Sequence, residues 1–190
     1  RTRNGWIWLT VPTLTKGNFY QNINEVKINN NTNWRSKHWK SIFFNYKNAS
    51  FFHVYKELFE ELYKKKWHRL VDLNETIIRY IFEELKIKAG IVKSSDFGPK
   101  GKKTDLLIDM CKKLGADTYL SGRGGHRYVD ETKFKKHGLC HLYQDFHHPT
   151  YRQQFDVFIP NMSVIDLMFN HGSKRSREII LNCGSIKSRG

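Results

Sequence analysis

The second half of the chain alternates short apolar segments with amphipathic ones, and this alternation constrains the fold more than any other feature. Residues 89–93, 118–121 and 139–143 have the composition of strands, and helical patterns follow the first two of them. Strand, helix and strand in this order are typical of right-handed βαβ units in a parallel sheet. The chain has 190 residues. We predict a single α/β domain, 1–190, with a three-layer αβα arrangement and a mainly parallel sheet.

The first half is predicted to be mostly helical. An aromatic, histidine or aliphatic residue recurs every fourth position over residues 34–46, and a second apolar stripe runs from Phe51 to Leu62. Asp72 and Glu75 have the spacing of a capping box at the start of a third helix. Residues 6–11, and less regularly 23–28, have the pattern of strands.

A glycine-rich loop should follow the predicted strand 118–121. Residues 121–130 hold three glycines, two arginines and a histidine, and Asp130 is placed to cap the next helix. Glycine lets main-chain N–H groups approach an anion, and arginine offers a planar fork for phosphate. The loop therefore predicts a pocket for a phosphate-bearing ligand, with a plain tight turn as the alternative. The residues assigned to phosphate or its substrate are Lys102, Thr104 (also expected to cap a helix), Ser121, Gly122, Arg123, Gly124, Gly125 and Tyr128.

A second polar segment comes after the predicted strand 139–143. Asp145 and His148 are candidate acid/base groups, and Tyr151 is the third catalytic candidate. Gln153 can hydrogen-bond to a polar substrate. The spacing of cysteine and histidine here does not fit a metal site, and none is predicted.

Asp166 and Asn170 lie four residues apart in a predicted helix that begins near Ser163. They therefore share one helix face. Two interpretations stay open: the pair lines the substrate pocket, or it is an ordinary pair on a helix surface.

The composition adds a second hypothesis about function. Lys and Arg number 33 against 18 acidic residues, giving a net charge of +15, which attracts polyanions such as nucleic acid. The basic clusters fall mainly at predicted helix ends and loops, so charge alone does not establish nucleic-acid binding. Three widely spaced cysteines indicate no disulfide framework and favour a reducing, cytoplasmic location. No stretch is long and apolar enough for a transmembrane segment.

Three segments of the chain, residues 34–42, 114–125 and 160–172, together resemble the WbqC-like protein family. The opening residues 4–12 and the stretch 143–151 fit the same family, so the resemblance runs in order over nearly the whole chain. Family members usually begin with a segment containing a His-Gln-Pro motif. That segment is absent here, so we expect a chain truncated at its N-terminus.

The resemblance implies a bacterial protein of O-antigen, lipopolysaccharide or other surface polysaccharide biosynthesis. Some relatives are described as glycine or amino-acid transferases that act on amino sugars. A transferase of this kind needs a phosphate pocket for ATP or a nucleotide sugar, which are the candidate ligands here. We therefore expect an acyl or aminoacyl transferase with a small-molecule substrate. The alternatives are a non-catalytic nucleic-acid-binding module and a scaffold protein of a polysaccharide assembly complex.

Overall fold

A computed structural model describes residues 1–18 and 20–188, and at His126 and Ser188 it describes the main chain alone. The chain divides into two compact units. Unit 1 consists of Arg1–Lys88 and Pro149–Ile180, and unit 2 consists of Ala89–His148 and Leu181–Gly190. The expectation of one domain over the whole chain stays a prediction.

Helices and strands are distributed unevenly between the two units. The helices are α1 (Trp34–Tyr46), α2 (Phe52–Lys64), α3 (Leu70–Glu84), α4 (Ser94–Phe97), α5 (Lys103–Lys113), α6 (Glu131–Lys136) and α7 (Val164–Leu181). The strands are β1 (Thr118–Ser121), β2 (Cys140–Phe146) and β3 (Gly184–Ser188), and short 3₁₀ turns lie at Ile23–Glu25 and Arg123–Arg127. The fold thus mixes helices and strands, and the three helices predicted in the first half are confirmed.

The core of unit 1 is built on aromatic side chains of α1, α2 and α7. The rings of Tyr46, Phe52, Tyr55 and Phe59 surround Phe169 with centroid distances of 5.2 to 5.7 Å. Phe169 is fully buried. Edge-to-face and tilted aromatic pairs of this kind add to the free energy of burial itself. The core fixes where α7 lies within the unit, and α7 carries Asp166 and Asn170.

Helix α7 is interrupted at Gly172, whose main chain has φ 71° and ψ 171°. A Cβ atom at this position would lie 2.8 Å from the ring of Phe51. Phe51 also donates its main-chain N–H to the carbonyl of Phe169 at 2.9 Å. Glycine is therefore required here for two reasons. The main chain has a positive φ, and the Phe51 ring leaves no room for a side chain.

Unit 2 holds a three-stranded sheet in the order β1-β2-β3. Strands β1 and β2 are parallel, as predicted, and β3 pairs with β2 in the antiparallel direction. A hydrophobic cluster of this unit is formed by side chains of α5, α6 and the loop before α6, namely Ile108, Cys111, Val129 and Phe134. Strand, helix and parallel strand here form the one βαβ unit that the alternating pattern correctly predicts.

The mainly parallel sheet and the three-layer arrangement are not confirmed, because several predicted strands do not form. Residues 6–11 and 89–93 are irregular, and 23–28 contain a 3₁₀ turn. Trp6, Trp8 and Val92 are exposed, so extending these segments would bury little apolar surface. Hydrophobic composition without a partner strand or a buried face is therefore a misleading signal for a strand.

Two predicted helix caps are wrong and one is confirmed. Helix α3 begins at Leu70, and Asp72 within it pairs with the Arg69 guanidinium at 2.9 Å. Helix α5 begins at Lys103, so Thr104 lies inside it. Asp130 does cap α6, where its side chain accepts a hydrogen bond from the Lys133 N–H.

Candidate functional site

The glycine loop of unit 2 folds back over the end of β1. The Gly125 N–H donates to the carbonyl of Gly122 at 2.9 Å, which closes the turn. A Cβ atom on Gly125 would lie 2.3 Å from Ser121 Oγ, whereas one on Gly122 or Gly124 would meet nothing within 4 Å. Of these three glycines, Gly125 is therefore the one that packing requires.

Ser121 lies beneath this loop in a buried polar cluster. Its Oγ is 2.9 Å from His141 Nε2. His141 Nδ1 is 3.9 Å from Glu131 Oε1, and the Tyr143 hydroxyl donates to the same Glu131 oxygen at 2.6 Å. Ser121 is buried, so its position favours a role in holding the loop over one in phosphate binding. The sequence alone does not place His141 or Glu131 beside Ser121, because 20 residues separate Ser121 from His141.

Asp145 lies near the end of β2 and has basic groups around it. Its carboxylate accepts hydrogen bonds from Arg123 at 3.1 Å and from Lys187, and His147 Nε2 lies 3.8 Å away. The hydrogen bond from Lys187 is the main reason that the pKa of Asp145 is lowered, and His147 and Arg123 act in the same direction. A carboxyl group kept ionised in this way is poorly suited to donate a proton near neutral pH. The Arg123 and Lys187 side chains are mostly exposed.

The start of α5 lies against the end of the glycine loop. Thr104 donates its hydroxyl to the Tyr128 carbonyl at 3.4 Å and accepts the Asp130 N–H at 3.1 Å. The structure thus brings Thr104 and Tyr128 together, with Thr104 buried and bonded to main chain. Lys102 is exposed just before α5. The side chain of His126 lies outside the described part of the chain.

His148, the other acid/base candidate of unit 2, is half-buried after β2. Its ring lies edge-on to Phe146, with a centroid distance of 6.3 Å.

Unit 1 contains a buried carboxylate at the first turn of α7. Asp166 is 0% exposed and accepts hydrogen bonds from the hydroxyls of Tyr46 at 2.7 Å and Tyr151 at 3.0 Å. It also accepts one from Gln153 Nε2 at 2.9 Å. Burial, and next the charge of Asp166, raise the pKa of both tyrosines. Tyr151 therefore stays protonated near neutral pH and orients Asp166.

Gln153 and Asn170 extend this network through main-chain groups. The Gln153 side chain donates to the Ile159 carbonyl at 2.8 Å and accepts the Ile159 N–H at 2.9 Å. Asn170 donates to the Asp166 carbonyl at 2.7 Å, which fits their four-residue spacing in α7. The segment between Gln153 and Ile159 is thereby closed into a fixed loop.

This loop borders a polar pocket of about 440 Å³ in unit 1. Phe155 in the loop has φ 74°, a conformation that is costly for a bulky residue and is concentrated at ligand sites. Tyr151, Gln153 and Asn170, three of the residues assigned from the sequence, line the pocket. The other lining residues are Asn48, Ser50, Arg152, Gln154, Phe155, Asp156 and Phe158.

Two further classes of site are absent from the described residues. Among residues 1–18 and 20–188, no group of three or more His, Cys, Asp or Glu side chains is arranged to hold a metal ion. Within the same residues, no helix has the length and hydropathy needed to cross a membrane.

Comparison with known proteins places this architecture in a family. The model of the WbqC-like protein family matches residues 1–178. The uncharacterised protein Rv1507c of Mycobacterium tuberculosis is 32% identical over 176 residues, which cover 92% of this chain and 76% of the relative. No solved structure matches the chain significantly. The chain belongs to the WbqC-like protein family.

Proposed function

We propose that this protein transfers an acyl or aminoacyl group, of the glycine type, to an amino sugar or sugar nucleotide during synthesis of a bacterial surface polysaccharide such as O-antigen. The polar pocket of unit 1 is the observation that carries this proposal. Family membership supports the same reaction class through the resemblance described above.

The lining of the polar pocket suits a carbohydrate ring. Sugar hydroxyls both donate and accept hydrogen bonds, and carboxamides such as Asn48 and Gln154 do the same. The rings of Phe155 and Phe158 offer apolar surface for the C–H face of a sugar. A volume of about 440 Å³ lies within the usual range of small-molecule sites, ~300–1,000 Å³.

Asp156 explains why an amino sugar is favoured over a neutral one. It is an exposed residue that lines the pocket, whereas the buried Asp166 already accepts three hydrogen bonds from side chains. The Asp156 carboxylate can therefore pair with the ammonium group of the sugar. In the reaction, the bound ammonium group first loses a proton to a base. The free amine then attacks the carbonyl carbon of the activated donor, an amide bond forms, the activating group leaves, and a base accepts the second proton from nitrogen.

Unit 2 offers groups for the phosphates of a nucleotide. Arg123 and Lys187 are exposed cations near one carboxylate, and we assign them to phosphate binding together with the main chain of Gly122 and Gly124. Asp145 would hold these cations in place. Within unit 2, His148 remains the acid/base candidate, because Asp145 is ion-paired.

Calorimetric titration with D-glucosamine and N-acetyl-D-glucosamine tests the pocket. Asp156→Asn should weaken glucosamine binding about tenfold, the value of one charge-assisted hydrogen bond, and should leave the N-acetyl sugar unaffected. Asp72→Asn is the matched control, since Asp72 lines a different pocket of the same unit. Equal affinities of the wild type and the Asp156→Asn protein for glucosamine would refute the assignment.

A further inference from the structure

Unit 1 contains a second, larger cavity that the proposed acceptor pocket does not use. Its volume is about 720 Å³, and its lining shares no residue with that of the polar pocket. Most of the lining side chains are apolar. They include Trp6, Trp8, Leu9, Ile77, Met162 and Ile165.

The wall formed by the first residues of the chain exposes an unusual amount of apolar surface. Trp6 is 55% exposed and Trp8 is 81% exposed, and their rings pack edge to face with a centroid distance of 5.6 Å. Exposed apolar surface gathered in one place marks a binding site, because covering it is favourable. The wall is part of a cavity whose size suits a small molecule.

The polar side chains of the lining define the other part of the ligand. Ser41, Tyr46, Tyr63 and Ser163 contribute hydroxyl groups. Burial raises the pKa of Tyr63 to about 12, so this phenol is uncharged at neutral pH. The described lining has no acidic side chain, and its charged residue, Arg1, donates its guanidinium hydrogen bonds to the carbonyls of Gln154 and Val157. Such a cavity favours an apolar body with an uncharged, hydrogen-bonding head and disfavours a cationic ligand.

We propose that this cavity binds an amphipathic small molecule, with a hydrocarbon body against the Trp6, Trp8 and Ile165 wall and a neutral amide or ester head at the hydroxyl groups. If the proposed function holds, on which this clause rests, the transferred group is an apolar acyl group and not a glycyl group, and the cavity binds the donor that carries it. The binding of the apolar body itself follows from the cavity alone.

A series of straight-chain primary amides, from butanamide to decanamide, tests the proposal through calorimetry and tryptophan fluorescence. Affinity should rise about fourfold for each methylene group that enters the cavity. Affinity that does not depend on chain length would overturn the proposal.

Two substitutions locate the binding. Trp8→Ala should reduce decanamide affinity at least tenfold. Phe44→Ala, which removes a similarly exposed aromatic ring of α1 outside the cavity lining, should change it less than twofold. Ser41→Phe should block the cavity while leaving Trp6, Trp8 and Ile165 in place, so it keeps the test decisive if Trp8→Ala does not fold. Equal effects of Trp8→Ala and Phe44→Ala would contradict the assignment.

The same samples separate this proposal from its rivals. Concentration-dependent association in sedimentation velocity, abolished by Trp8→Ala and unaffected by decanamide, would show that the tryptophans form a protein interface and would overturn the proposal. Decanamide binding without glucosamine binding would support the cavity and defeat the proposed function. Glucosamine binding without any amide binding would overturn the cavity proposal and leave the proposed function standing.

Discussion

The Tyr46 hydroxyl donates a 2.7 Å hydrogen bond to the Asp166 carboxylate from a position 120 residues away in the chain. Tyr46 lines the apolar cavity, while Tyr151 and Gln153 line the polar pocket and bond to the same carboxylate. The buried Asp166 carboxylate therefore accepts hydrogen bonds from lining residues of both pockets. Because its partners come from distant parts of the chain, Asp166 also holds unit 1 together.

Tyr46→Phe should destabilise the protein by about 1.5–3 kcal/mol, because it removes one hydrogen bond to a buried charged group. The free energy of unfolding from urea titrations measures this loss. Tyr20→Phe, at a position that is 95% exposed, should change stability by less than about 0.5 kcal/mol. Equal stabilities of the two variants would show that the Asp166 network contributes little.

Acidification should destabilise the fold through His38. Burial lowers the pKa of His38, with a hydrogen bond to the Thr10 main chain opposing it in part. The folded state then binds a proton less readily than the unfolded state, so this group's contribution is complete above about pH 6.5 and is lost as pH falls below that value.

Unfolding curves between pH 5 and 8 measure this effect. His38→Gln should flatten the pH dependence in that range. His53→Gln, which alters an exposed histidine, should preserve it. An unchanged pH slope in the His38→Gln protein would exclude His38 as the cause.

Gly125→Ala should disrupt the glycine loop, whereas Gly124→Ala should be tolerated. The added methyl at Gly125 would lie 2.3 Å from Ser121 Oγ and 2.9 Å from Ser121 Cβ, but one at Gly124 would meet no atom within 4 Å. The His141 ring resonances in NMR spectra report on the hydrogen bond to Ser121. They should shift strongly in Gly125→Ala and little in Gly124→Ala; the opposite order would mean that the loop does not lie over Ser121.

Gly172→Ala should destabilise the protein by at least about 1 kcal/mol, because φ 71° with ψ 171° is a conformation that is essentially restricted to glycine. Collision with the Phe51 ring adds to this cost. In a Phe51→Ala background the collision disappears and only the conformational cost remains, so thermal melts of the four proteins form a double-mutant cycle. Strictly additive losses would argue against the close approach of Phe51 to Gly172.

Local patterns predicted helices well where one face is buried in the core. Trp34, His38, Ile42 and Tyr46 are spaced four apart, and all four are buried along α1. Asp130 was also identified correctly as a cap, since a cap depends on residues within one turn. These features need no knowledge of the distant parts of the chain.

The remainder depends on contacts that are distant in sequence. Residues 89–93 look apolar but remain largely exposed, and no local signal shows that they lack a partner strand. Asp166 and Asn170 were expected on one face, yet their spacing cannot show that Asp166 is buried beneath Tyr46. The position of Asp145 after an apolar segment suggests an acid/base role, but its ion pair with Lys187 arises from the antiparallel pairing of β2 and β3.

Isothermal calorimetry of the unmodified protein with D-glucosamine and with a UDP-linked amino sugar, at low and high salt, tests the central claim most directly. We predict saturable binding of both ligands at moderate salt. Absence of binding to either sugar, together with tight and steeply salt-dependent binding to an oligonucleotide, would contradict the transferase proposal and favour a nucleic-acid-binding module.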